Sequence, residues 1–269
     1  MKLQLKNIIA VVAISTLMFS CSSDDDTPIV EGSTGKMEIE FDNSVNGDDL
    51  ILNTNYLNTN GETLKISRFS YIVSNFVLIS ADGTEKVYPK NESYFIINEG
   101  EQLTTVHLVN VPSGDYVKIR FGLGVDQDRY GQGETAQQDF WDVAAANNLT
   151  WTWSTGYRFI NFQGTFTSPL VSGEKEFMVH QGSNSATDNY REITLDFPTT
   201  AKVRTDASPA VHLIVDANKI LDGEAKLKLS DYMNVANTSA SIMGGQALIT
   251  IAGNTTRMFV VDHVHANGH

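Results

Sequence analysis

The chain has 269 residues, with 32 Asp and Glu against 19 Lys and Arg and a single Cys. One cysteine excludes an intrachain disulfide, and the acidic balance argues against nucleic acid and anionic lipid surfaces as partners. No Gly-rich phosphate loop, Gly-x-Ser-x-Gly elbow or His-Glu-x-x-His helix is present, so the sequence carries no enzyme signature.

Residues 1–20 read as a signal peptide. Lys2 and Lys6 form the positive start, and Ile8 to Phe19 supply an apolar stretch too short for a relaxed membrane span. Cys21 follows directly after Ser20 and matches a bacterial lipoprotein cleavage site, where its thiol would be acylated. Residues 21–35 then form a polar, acidic tether beginning Ser22-Ser23-Asp24-Asp25-Asp26. That run is similar to an export tag for the outer face of the outer membrane. The expected location is therefore the outer membrane, lipid-anchored and surface-exposed.

Residues 36–269 are expected to form one large all-β domain, an antiparallel sandwich or barrel with one or two short helices. Lys36 to Phe41 alternates charged and apolar residues, the pattern of a half-buried strand. Leu50 to Tyr56 follows as a second strand. Leu64 to Ser80 is a long strand whose alternation needs a bulge near Arg68, and Asp82-Gly83 marks a hairpin turn. Further strands are expected at Ser93 to Ile97, Leu103 to Val109 and Tyr116 to Gly124. Ala136 to Asn147 is the best helix candidate. Trp151, Trp153 and Phe159 lie even numbers of residues apart, so an extended chain would place them on one face as the heaviest core strand. Later strands are expected at Glu176 to His180, Arg191 to Phe197, Val211 to Asp216, Ala225 to Leu229, Gln246 to Ile251 and Arg257 to Val261, with a helical turn at Ala217 to Leu221.

Histidine carries most of the chemistry. His263 and His265 are two residues apart, which on a strand puts both imidazoles on one face about 7 Å apart, within reach of one metal. A third ligand would come from another strand, and His180 stands where a strand meets a loop. His212 alternates with Val211 and Leu213 and reads as a satisfied core or surface histidine. His107 is similar, and His269 is terminal. Asp126-x-Asp128-x-x-Gly131 begins like a calcium loop, but Tyr130 and Gln137 occupy ligand positions, and it reads as a turn.

Four stretches resemble the MbnP-like copper-binding proteins. They are Tyr71-Ile72-Val73-Ser74-Asn75 with Asp82-Gly83, Phe121 to Asp126, Trp151-Thr152-Trp153-Ser154-Thr155-Gly156-Tyr157, and Met258 to His265. The resemblance implies a β protein of the cell envelope that binds one copper ion through histidines. It also implies a Trp near the site, Trp151 or Trp153 here, that a partner redox enzyme oxidises in some members. His180 matches the family's His-x-Gly. The sequence departs from the family pattern at Asn43 and Phe95, where histidines are expected. Either His263 and His265 replace them, or this branch keeps the fold without the metal.

Two functions follow as expectations. The first is a non-enzymatic surface lipoprotein that binds copper through His180, His263 and His265. The second is a metal-free module in which aromatics such as Trp151 and Tyr157 stack on a glycan or peptide.

Overall fold

The computed structural model describes residues 28–132, 138–151, 156–184 and 186–267. The expected leader, Cys21, Trp153 and His269 lie outside the described residues, and of the tether only residues 28–35 lie inside them. The strands of the first half are β1 (Thr34–Val45), β2 (Asp48–Asp49), β3 (Asn55–Leu57), β4 (Thr63–Ser80), β5 (Glu85–Val87), β6 (Tyr94–Asn98), β7 (Thr105–Pro112) and β8 (Gly114–Leu123). Those of the second half are β9 (Ile160–Ser168), β10 (Val171–Gln181), β11 (Arg191–Val203), β12 (Ala210–Asp216), β13 (Ser239–Ile242) and β14 (Phe259–His265). Among the described residues three short α-helices accompany them: α1 (Gln127–Gly131), α2 (Gln138–Ala146) and α3 (Gly245–Asn254).

These strands form two sheets. The smaller has the order β14-β12-β1-β2, with β7 also on β1, and the larger the order β11-β8-β4-β9-β10-β13, with β3, β5 and β6 on β4. The all-β sandwich class holds. Most ladders are antiparallel, but β1 runs parallel to β12 and β10 parallel to β13. No helix among the described residues is long and apolar enough to cross a membrane.

Alternation in the sequence becomes sidedness in the sandwich. β1 buries Met37, Ile39 and Phe41 and turns Glu38, Glu40 and Asp42 outward. On the inner face Phe41 meets Tyr71 and Phe121 of the larger sheet at ring-centroid distances of 6.2 and 5.9 Å, and Phe121 meets Phe259 of β14 at 5.2 Å. Edge-to-face aromatic contacts of this kind contribute beyond their buried area. They fix how the two sheets face each other. A second cluster covers the opposite face of the larger sheet, where α2 lays Phe140 and Ala144 over Ile72, Leu149, Tyr157 and Phe159.

Four expected strands are corrected. The Trp stretch is not a core strand. Its described part forms a loop joined by the single bridge Thr150–Tyr157, and regular pairing begins only at Ile160. Gln246 to Ile251 lies inside α3, because Leu248, Ile251 and Ala252 are buried at helical spacing while Ile249 faces out. Ala225 to Leu229 is irregular. There the buried Glu62 carboxylate accepts the N–H groups of Leu229 and Ser230, in place of a ladder partner. Of Leu50 to Tyr56, only Asn55–Leu57 makes a strand, after a turn with Asn53 at positive φ.

The bulge expected near Arg68 is present, as a register shift against β9 between Ile66 and Arg68. Gly164 faces Ile66 there, and a Cβ at Gly164 would lie 2.1 Å from the Lys65 carbonyl oxygen. Gly164→Ala is expected to lower stability by about 1–3 kcal/mol through overpacking. Gly131→Ala, with nothing within 4 Å of the added methyl, serves as the control. Urea unfolding of both variants measures the difference.

Candidate metal centre

A one-residue irregularity decides which way the C-terminal histidines point. Strict alternation from the buried Phe259 would send Val261, His263 and His265 all into the core. Instead, the register of β14 against β12 shifts at Asp262. His212 faces His263, and the next pair is Leu213 with Val261. The extra residue lets Val261 and Val264 both pack on the core. It leaves His263 and His265 on the outer face, where His212 also lies because Val211 and Leu213 are buried. Burying two imidazoles without partners costs more than one bulge.

The three imidazoles converge. Their ligand nitrogens lie within 4.8 Å of one another. The rings of His212 and His263 stack at 4.3 Å with 15° between their planes, and His265 stands edge-on to both, 4.9 Å from His212 and 4.5 Å from His263. His263 Nε2 and His265 Nε2 are 2.9 Å apart.

Two carboxylates orient the set. β1 runs parallel to β12 with Glu40 opposite His212, and Glu40 Oε2 lies 2.9 Å from His212 Nδ1. Asp262 Oδ2 lies 2.6 Å from His263 Nδ1. A carboxylate on Nδ1 favours the proton there and turns the Nε2 lone pair toward a metal. Three imidazole nitrogens so arranged fit a transition metal such as copper or zinc.

His180 is not part of this group. It sits on β10 in the other sheet, 4% exposed, with Nε2 against Gln163 and its ring 5.9 Å from Trp151. The structure brings His212, rather than the expected His180, together with His263 and His265. The positions where histidines were expected do other work. Asn43 accepts from Tyr71 Oη and donates to Glu99, each at 3.0 Å, while Phe95 packs on Phe76. His107 pairs with Glu38 at 3.3 Å on the outer face of β1.

Trp151 and Tyr157 are 9% and 1% exposed, which leaves little ring surface for stacking on an external ligand. The Arg158 guanidinium lies 4.9 Å from the Trp151 ring centroid. Asp126 caps α1, accepting from Arg129 N, and takes further hydrogen bonds from Asn75, Lys90 and Tyr94. These contacts hold its carboxyl down at about 2 against the opposing effect of burial, and they make it the cap of a short helix where its spacing suggested a turn.

Burial, reinforced by the charges of Arg158 and Arg68, pulls the His180 imidazole down to about 4. A histidine that ionises near 6.5 when unfolded and only near 4 when folded makes the unfolded chain the better proton acceptor between those values. Stability contributed by neutral His180 is complete above about pH 6.5 and falls by about 3 kcal/mol as pH drops through 4. His180→Gln is expected to flatten the pH dependence of the urea midpoint across that window. An unchanged slope would contradict a neutral, buried His180.

Comparison with known proteins places the fold. A family model described as MbnP matches residues 34–243. That span includes His212 but ends before β14, so His263 and His265 lie beyond it. The solved structure of MbnP from Methylosinus trichosporium shares the fold at a TM-score of 0.50 and 15% identity, over 80% of this chain and 82% of that one. No curated protein sequence matches the chain. With more than half its length matched by the family model, the chain belongs to the MbnP family.

Proposed function

We propose that this protein binds one copper ion through His212, His263 and His265 and acts in copper acquisition or handling, not in catalysis. The observation that carries this reading is the convergence of three imidazoles from two neighbouring strands within 4.8 Å. Membership of the MbnP family supports copper over other metals. So does the general order of divalent affinities, in which copper exceeds zinc and nickel on nitrogen donors. The ion would be held on the outer face of the smaller sheet, open to exchange with solvent or a delivery partner. Attachment through an acylated Cys21, at the outer membrane and facing outward, is the location that the leader and its acidic tether support. A partner redox enzyme acting on a Trp belongs to the same reading. The metal-free glycan or peptide module is the weaker alternative, because Trp151 and Tyr157 are buried.

Elemental analysis of the purified protein after copper loading and desalting tests this. About one copper per chain is expected in the parent and in His180→Ala. Substoichiometric copper is expected in His212→Ala and in the His263→Ala/His265→Ala double variant. Full retention in the double variant, or loss only in His180→Ala, would move the site to the other sheet.

A further inference from the structure

We infer that the larger sheet, on the face that looks away from the smaller one, binds a small oxyanion (a phosphate or carboxylate group) between Arg68, Arg158 and His180. The inference stands apart from the copper reading, which concerns the other sheet.

Strand register brings the polar groups together. On β4, Phe69 and Tyr71 pack in the core, so Arg68 and Ser70 face away from it. On β9 the same holds for Asn161 and Gln163, which flank the core residue Phe162, and on β10 for His180 beside Val179. Arg68 stands opposite Gln163, Ser70 opposite Asn161, and Asn161 opposite His180. Arg158 joins them from the loop before β9. Its guanidinium lies 4.9 Å from the Trp151 ring, and that ring lies 5.9 Å from His180.

Two features point to an anion. The first is charge. Arg120, Arg204 and Arg257 each pair with a carboxylate. Among the described residues Arg68 and Arg158 pair with none, although the chain holds 32 acids against 19 bases. Arg158 donates to the Asn148 carbonyl at 3.4 Å, a neutral partner. Both arginines are half-buried. Burial, then the charge of Arg68, pulls the Arg158 guanidinium below its ordinary range. Crowded, half-buried like charges are costly until a counter-charge joins them. The second feature is hydrogen bonding. Ser70 Oγ, Asn161 Oδ1, His180 Nδ1 and Arg158 Nε are buried without a partner. Groups in that condition are few in a folded protein. Gln163 Nε2 donates to His180 Nε2, so the neutral ring carries its proton on Nδ1. His180 Nδ1 and Arg158 Nε are therefore both donors in need of an acceptor.

A polar recess of about 410 Å³ opens beside Arg68, lined also by Asn98, Glu101, Asn147 and Asn148. It has room for a small anion or for the anionic end of a larger molecule. A guanidinium fork matches the paired oxygens of phosphate or carboxylate. The exposed Glu101 carboxylate is the one lining group that opposes such a ligand.

Titration with inorganic phosphate and with citrate at constant ionic strength, read from the His180 ring signals by nuclear magnetic resonance, tests the inference. His180→Gln identifies those signals. Saturable binding is expected, and the His180 imidazole should rise from about 4 when phosphate is bound, because a neighbouring anion favours its charged form. Arg68→Gln and Arg158→Gln are each expected to weaken phosphate about tenfold or more. Glu101→Gln is expected to strengthen it, and Arg120→Gln, which removes an arginine already paired with Glu85, to leave it unchanged. Equal phosphate affinity in the parent and in both arginine variants, or no saturable response of His180 to either anion, overturns the inference. Signals of His180 that move with Cu(I) and not with phosphate give the recess to a metal and overturn it as well.

Discussion

The parallel pairing of β1 with β12 is the constraint on which the rest depends. A parallel pair cannot be closed by a tight turn, and the chain between these two strands builds most of the larger sheet before it returns. The pairing has two consequences at once. Inward, it lines up Phe41 and Leu213 over the aromatic core. Outward, it sets Glu40 beside His212. The same register therefore closes the sandwich and orients the first imidazole. A slip of one residue would exchange the faces and lose both.

The three histidines come from two strands, β12 and β14, that are separated in sequence by α3, and the carboxylate on β1 is more distant still. No local segment can form the site. It exists only once the smaller sheet is complete, so its geometry is as well defined as the core beneath it. This suits metal binding, where imidazoles on paired strands lose little further freedom on meeting an ion. It also separates two roles of histidine in this fold. On the outer face the rings are within reach of solvent and flanked by acids. In the larger sheet, His180 is sealed between Gln163 and Trp151 beside two arginines, an environment that opposes a positive charge.

Much of this was legible in the sequence, and the failures have physical causes. The alternation of Lys36 to Phe41 and the two-residue spacing of His263 and His265 are local signals: the first gave the buried face of β1, and the second put both imidazoles on one face. His212 showed its side through Val211 and Leu213, but its partner depended on strand register, which local pattern does not encode. The bulge at Asp262 is equally silent. Only the need to bury Val264 beside Val261 hints at it. Gln246 to Ile251 is rich in β-branched residues and reads as a strand until its buried positions are known to follow a helical period. The Trp stretch misled for the opposite reason. Its aromatics fill space around a loop, and aromatic mass alone does not make a ladder. His180 drew attention through its strand-end position, and the structure buries it in the larger sheet, away from the other histidines.

Among the described residues, β14 is the outermost strand of its sheet, and its second edge carries no partner strand. An edge of this kind frays easily and offers unsatisfied backbone groups to other chains. The strand is short, bulged and acidic at its middle, features that discourage such pairing. An ion bridging His212 to His263 and His265 would fasten this margin to its neighbour. Occupancy would then govern how often the C-terminal margin opens, and opening of that margin would govern how quickly the ion departs.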